Sequence, residues 1–459
     1  MLVKNSAERA LSAAVATGGD FAEIFYEDTK SSSLTMINDQ TENATISRAH
    51  GAGIRVYKGF QSVYVHTNDT TEQGLIRAAA QAASAIGNET VAADIRLTGS
   101  IAANIHPIKI MPMDVSGQKR ACVCHSATAS AQSVSSDIRQ VRVLLMGKES
   151  DITIANTDGL FIGDTRVYTR LSVTALASNG SENQTGSSNP GAMMGFELFD
   201  TRVDVDKAAR DAAKTAVTML NAEPCRGGVM PVVIDNGFGG VIFHEACGHS
   251  LEATSVAIGM SEFSGRLGQK IASEKVTAID DGTIPNEWGS LNIDEGTPTT
   301  RLVLIENGVL KNYMIDRLNG RRMGMPVTGS ARRQDYTFAP TSRMRNTFIA
   351  AGTDEESEII STAGDALYAK KMGGGSVNPA TGEFNFAVQE GYIIRAGQID
   401  RPVRGATLVG KGSEILLKID RVGRDMKMAQ GMCGSRSGSI PTNVGQPMIR
   451  VTDITVGGR

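Results

Sequence analysis

His244, Glu245 and His249 are the residues whose types and order best suit chemistry in this 459-residue chain. Two imidazoles can hold Zn²⁺, which lowers the pKa of a bound water. A neighbouring carboxylate can take that proton and hand it to a leaving amine. The spacing is unusual. Histidines four apart share a helical face, whereas His244 and His249 are five apart, about 140° around a regular helix. Both reach one metal only if the helix widens locally into a π turn, where residues i and i+5 align. Gly248 stands where such a distortion would be tolerated. Spacing alone leaves a metal pair and two ordinary helix histidines equally open.

A catalytic zinc takes three protein ligands and keeps a fourth position for water. Glu252, three residues after His249, can share its face. Cys433, in Gly431-Met432-Cys433-Gly434-Ser435, lies in a glycine-flanked loop able to pack closely on another element. On physical grounds these two are rivals for the third position. Cys247 is three residues from His244, about 60° short of the required direction, and reads as a small core residue. Cys122, Cys124 and His125 resemble a metal cluster at first sight. On a helix, however, residues i and i+2 point about 200° apart, so core packing is the better reading. His50, His66 and His106 have no ligand-type neighbours at a useful spacing.

The elements that must position these residues fall into two parts. Apolar residues at helical spacing predict helices over Ala7–Val15 and Thr70–Ile86, with strands at Ala22–Tyr26, Ser33–Ile37, Thr45–Val56 and Gln61–His66 between them. A second round follows: a helix over Gly117–Ser133, strands at Arg139–Met146, Ile152–Ala155, Leu160–Ile162 and Val167–Ala177, and a helix over Asp204–Leu220. The polar stretch Ser178–Pro190 reads as a mobile loop. Pro224–Gly228 breaks this order and is the expected boundary between residues 1–223, an N-terminal α+β domain, and residues 224–459, a β-rich C-terminal domain. The latter should place one histidine-bearing helix (Val241–Val256) after a strand at Val229–Ile234. Glu306-Asn307-Gly308-Val309 is a hairpin turn signal, and frequent glycine turns among short strands predict a barrel or curled sheet.

Bulk properties exclude several classes of function. With 46 basic and 49 acidic residues and a net charge of −3, the chain lacks the basic excess of a nucleic-acid binder. Its densest basic stretch, Arg321-Arg322, Arg332-Arg333, Arg343 and Arg345, reads as solvated loop or interdomain surface. No apolar run is long enough for a membrane span. Lys4 and Arg9 flank an amphipathic helix rather than a signal peptide, and five scattered cysteines suit a reducing compartment, so a cytoplasmic protein is expected.

The segment from His244 to Glu252, His-Glu-Ala-Cys-Gly-His-Ser-Leu-Glu, resembles the signature helix of the TldD/PmbA metallopeptidases. Further stretches agree: Asp294–Pro298, Pro340–Thr347, Gly373–Gly375, Gly382–Phe386, Pro402–Ala406, Cys433-Gly434 and Gly445–Pro447. The resemblance implies a zinc protease with His244, His249 and Cys433 as ligands and Glu245 as general base, leaving Glu252 behind them. It also implies a particle of two subunits, a homodimer or a heterodimer with a motif-lacking relative, which takes small or unfolded peptides as an added strand. The intact motif places this chain with the catalytic type. Ser435 departs from the lysine expected after Cys433-Gly434. The alternative function is a non-catalytic binding or regulatory subunit with a structural zinc. Asp294 and Glu295 read as turn formers.

Overall fold

The computed structural model describes residues 2–102, 104–378 and 380–458; Met1 and Arg459, at the outer ends of the two expected domains, lie outside these. The N-terminal region is built on two long hairpins. β1 (Phe21–Ile37) and β2 (Gln40–Lys58) pair antiparallel across Asn38 and Asp39. Both turn residues have positive φ, a conformation Asn and Asp adopt more readily than other side chains. β3 (Gln61–Thr67) adds to β2. β4 (Ile138–Asn156) and β5 (Leu160–Ser178) form the second hairpin, and β1 pairs with β4, giving one sheet in the order β3–β2–β1–β4–β5.

Each hairpin carries its own pair of helices. α1 (Lys4–Val15) and α2 (Glu72–Ile86) bury Leu11, Leu75 and Ile86 with Ile24 and Ile54 of the first hairpin. α3 (Gly117–Gln132) and α4 (Val205–Leu220) bury Cys124, Ala127, Ala212 and Ala216 with Val143, Leu145, Leu171 and Val173 of the second. Thr71, Ser116 and Asp204 cap α2, α3 and α4 by accepting from the backbone N–H three residues on. The helix–strand–helix order read from the sequence is thus present twice.

Two sequence expectations fail here. The short strands at Ala22–Tyr26 and Ser33–Ile37 are one 17-residue strand, and the second hairpin is likewise continuous. The polar residues that seemed to break them are partnered, as where Thr29 donates to Ser150 (2.7 Å) across β1 and β4. The supposed mobile loop holds a strand, β6 (Asn183–Ser188), which pairs with β5. At Gly186 a Cβ would lie 2.1 Å from the Ala212 carbonyl, so only glycine lets this strand pass beneath α4.

The C-terminal half contains a closed barrel and a second sheet. The barrel comprises β7 (Gly228–Ile234), β12 (Ala366–Val377), β13 (Glu383–Arg395), β14 (Thr407–Lys411) and β17 (Ile449–Gly457). Pairing runs β12–β7–β17–β14–β13 and back to β12, so these five strands close on themselves. The second sheet uses β8 (Ala278–Asp281), β9 (Arg301–Glu306), β10 (Val309–Leu310), β11 (Asn346–Ile349), β15 (Lys427–Ser435) and β16 (Gly438–Gln446), in the order β10–β9–β8–β11–β16–β15. Its β9–β10 hairpin turns at Asn307 and Gly308, both at positive φ, as the sequence signal requires. The architecture is α+β with a C-terminal barrel.

A buried charge seam joins the halves. Arg333, fully buried, binds Glu23 of β1 at 2.7 Å and Asp294 at 2.9 Å. Arg55 of β2 reaches Glu295 at 3.0 Å, and Tyr57 donates to the same carboxylate at 2.9 Å. Asp294 and Glu295 do sit at a turn, with Gly296 at φ +71°, yet their carboxylates are buried partners of N-terminal cations. The basic stretch divides: Arg322 is exposed, whereas Arg332, Arg333, Arg343 and Arg345 are buried, Arg333 on the surface between the halves that was one of the two expected settings. Replacing Arg333 by Met leaves Glu23 without its cation and Asp294 with only Arg166, at 3.5 Å. The expected loss in urea unfolding is about 3–5 kcal/mol, the cost of breaking a buried ion pair.

Candidate metal centre

The histidine segment leaves the barrel at β7 and turns through Gly237–Gly240. A Cβ on Gly240 would lie 2.5 Å from the Gly445 backbone, so the segment starts pressed against β16. A helical turn at Val241–Phe243 then widens into a π turn over His244–Gly248, and a 3₁₀ turn at His249–Leu251 ends it. The His249 N–H donates to the His244 carbonyl, the five-residue hydrogen bond of a π turn. Val241, Phe243, Ala246, Cys247 and Leu251 enter the core with Val232, Ile234, Leu367 and Phe386 of the barrel. Cys247 is therefore a core residue, and burial pushes its thiol well above the ordinary range.

Gly248 has ordinary helical φ and ψ (−53°, −52°), so the bend itself does not require glycine there. The requirement is steric: a Cβ would lie 2.2 Å from the sulfur of Met344. Gly412 is tighter still, since a Cβ there would approach the Ala246 carbonyl to 1.7 Å. Gly412→Ala must push the π turn aside. We expect it to cost about 1–3 kcal/mol or somewhat more in thermal unfolding and to lower metal occupancy in the surviving folded protein.

The π turn places both imidazoles against Cys433 of the edge strand β15. The Cys433 sulfur is 3.4 Å from His244 Nε2 and 3.4 Å from His249 Nε2, and the two rings stand edge to face at 4.8 Å. The three donor atoms all lie within 4.8 Å of one another. Around a tetrahedral zinc, nitrogen and sulfur ligands are separated by about 3.6 Å, so the donor set fits that ion. Although burial opposes ionisation, the two imidazoles hold the Cys433 thiol down to about 3, the thiolate a metal requires. Arg343 donates to the Cys433 carbonyl at 2.5 Å and Trp288 to the Gly431 carbonyl at 2.8 Å, fixing the strand that carries the thiolate.

Glu245 and Glu252 take different sides of His249. Glu245 Oε2 is 3.7 Å from Nε2, on the side where the donors converge, whereas Glu252 Oε1 is 3.3 Å from Nδ1. A carboxylate on the far nitrogen orients a ligating imidazole and raises its basicity. Arg343 Nε, 3.8 Å from Glu252, holds that carboxylate from behind. The other histidines stay apart: His125 pairs with Asp39, and His106 Nδ1 accepts from the Asn286 N–H at 2.9 Å. Cys124 is buried in the α3–α4 core and Cys122 is exposed. The sequence pointed to Arg343 only as part of a basic stretch and of the Pro340–Thr347 resemblance, without a role at the site, and Met344 and Gly412 carried no signal beyond their residue types.

Taken together, this is an α+β protein with a C-terminal barrel and one cluster of His, His and Cys donors among its described residues. The chain belongs to the PmbA/TldD family. Family models described as PmbA/TldA metallopeptidase domain 1, central domain and C-terminal domain match residues 22–86, 117–220 and 227–458. The metalloprotease TldD homolog of Buchnera aphidicola (subsp. Acyrthosiphon pisum) is 32% identical, over 96% of this chain and 93% of its own length. The TldD homolog of Haemophilus influenzae is equally similar, at 32% over 96% and 93%. A relative named metalloprotease from Methanothermobacter thermautotrophicus is 32% identical over 96% of each chain. Among solved structures, a Thermotoga maritima protein described as a modulator of a DNA gyrase superposes with a TM-score of 0.81 at 20% identity, covering 99% of both chains. TldE from Thermococcus kodakarensis superposes with a TM-score of 0.75 at 17% identity, covering 96% and 97%. No helix among the described residues is long and apolar enough to cross a membrane.

Proposed function

We propose that this chain is a zinc-dependent protease of small or unfolded polypeptides, with His244, His249 and Cys433 holding the metal. The observation that carries this reading is the position of Glu245, whose carboxylate faces the converging donor atoms rather than the back of an imidazole. A structural zinc site has no use for a base there. Zinc held by these three residues supplies Lewis-acid activation of a water and of the scissile carbonyl. Glu245 takes the proton of the attacking water and delivers it to the leaving amine. Glu252, on His249 Nδ1, keeps that ring oriented with Nε2 toward the donors. β15 is the edge of its sheet and carries Cys433, so an extended peptide added alongside lies next to the donors without demands on its sequence. The near-balanced charge of −3 gives no support to direct DNA contact. Assembly with a second copy or with a motif-lacking relative, in the cytoplasm, belongs to the same reading.

The test is hydrolysis of casein by the purified chain, alone and mixed with a motif-lacking relative. Activity should vanish on chelation and return with one equivalent of zinc, measured beside metal content and particle mass. A metal-replete sample inactive in both settings would sink the proposal.

A further inference from the structure

On the face of the β15–β16 hairpin away from the Cys433 sulfur lies a cavity of about 350 Å³, walled on its other side by β1, β4 and β5. Met432 lines it, and in a strand the next residue, Cys433, turns to the opposite face. Four arginines reach this cavity, and they differ in kind. Arg166 and Arg333 are matched: Arg166 pairs with Asp164 (3.0 Å), and Arg333 with Glu23 and Asp294. Arg170 and Arg332 have no carboxylate partner among the described residues. Arg332, only 3% exposed, makes one hydrogen bond, from Nη1 to the Met344 carbonyl at 2.9 Å. Arg170 stacks over Trp288 at 5.1 Å and reaches the Gln430 carbonyl at 3.5 Å, while its buried Nε has no acceptor.

A fold that supplies counterions to two neighbouring arginines and withholds them from two others has left room for an anion. A buried unmatched guanidinium is costly, and native proteins rarely retain one without a partner. Burial, helped by Arg343 and Arg166 and opposed by Tyr168 and Asp294, pushes Arg332 down to about 10, which still leaves it charged at neutral pH. The one carboxylate in the lining, Glu27, already accepts from the Tyr336 N–H at 3.0 Å and sits 3.8 Å from Lys148. The rest of the wall sets an aromatic patch, Phe25, Tyr168 and Trp288, beside small hydroxyls such as Ser31, Ser33 and Thr45. The fitting ligand therefore joins a carboxylate to a compact apolar body. Guanidinium donors match a planar carboxylate in bidentate fashion, and the aromatic patch beside them suits the side chain attached to it.

We propose that Arg170 and Arg332 form a carboxylate-binding subsite in this cavity, which anchors the carboxyl-terminal residue of a bound peptide across the β15–β16 hairpin from the metal donors. The word peptide rests on the protease reading; the subsite itself does not require the metal. The chain has a single tryptophan, Trp288, in the cavity wall, so its emission reports occupancy directly. The full-length protein is titrated with N-acetyl-Ala-Leu, with its carboxamide, and with an amidated peptide carrying an internal Glu. The free acid should give a saturable change that the carboxamide does not. Arg170→Met and Arg332→Met should each weaken it at least tenfold, and the less buried Arg170 supplies the variant whose fold is least at risk. Equal responses to acid and amide, or unchanged affinity in both variants, overturn the proposal. Binding of the internal-Glu peptide as tightly as the free acid supports the carboxylate subsite and overturns its assignment to the chain terminus. Casein hydrolysis on the same samples reports the metal centre separately, so the two readings fail independently.

Discussion

Glu245→Gln should retain the metal and lose casein hydrolysis by about 10²–10⁴-fold, the range that general-base catalysis supplies. Glutamine keeps the size and hydrogen-bonding shape of the side chain but cannot take a proton. The carboxylate is 3.7 Å from His249 Nε2 and is not among the three donors that converge, so metal content should stay at the wild-type value. The two readouts must separate. Wild-type turnover in the variant rejects Glu245 as the base. Loss of metal together with activity makes Glu245 a ligand and returns the centre to a structural role.

Cys433→Ala tests the other end of the site. A three-ligand zinc centre whose binding free energy is about 10–16 kcal/mol should lose roughly a third with one ligand, or about 10²–10⁴-fold in affinity. Zinc content after dialysis should fall, and the sulfur-to-metal charge-transfer absorption of the cobalt-substituted protein should disappear. Full occupancy would mean that Glu252, now 3.3 Å from His249 Nδ1, takes the vacant position. The fold should survive the change, because Arg343 and Trp288 hold β15 through backbone carbonyls rather than through the thiol.

What could be read from the sequence depended on whether a signal was local. The helices over Thr70–Ile86, Gly117–Ser133 and Asp204–Leu220 and the Asn307-Gly308 turn rest on signals within a few residues and were legible. So was the need for a widened helix, because the angle between His244 and His249 follows from helix geometry alone. The continuity of β1 through its Glu-Asp-Thr-Lys-Ser-Ser-Ser run was not, because its partners lie on β2 and β4, far along the chain. For the same reason the sequence left the arginines open between solvated loop and interdomain surface. Arg333 looks solvated until Glu23, 310 residues earlier, is brought to 2.7 Å. Likewise, Gly248 was credited with backbone freedom when its requirement is the sulfur of Met344.

The seam between the halves bears on how the chain is made as well as on how it holds together. Ribosomes add about 5–20 residues per second, so Glu23 waits some 15–60 s for Arg333 to be synthesised. During that interval the first sheet can form, yet Glu23 and Arg55 face a surface whose counter-charges, Arg333 and Glu295, do not yet exist. Each of those side chains stays hydrated and marks the first sheet as unfinished. Docking of the Asp294–Glu295 turn and of the segment that carries Arg333 therefore completes the N-terminal half only late in translation, when most of the C-terminal half has been made.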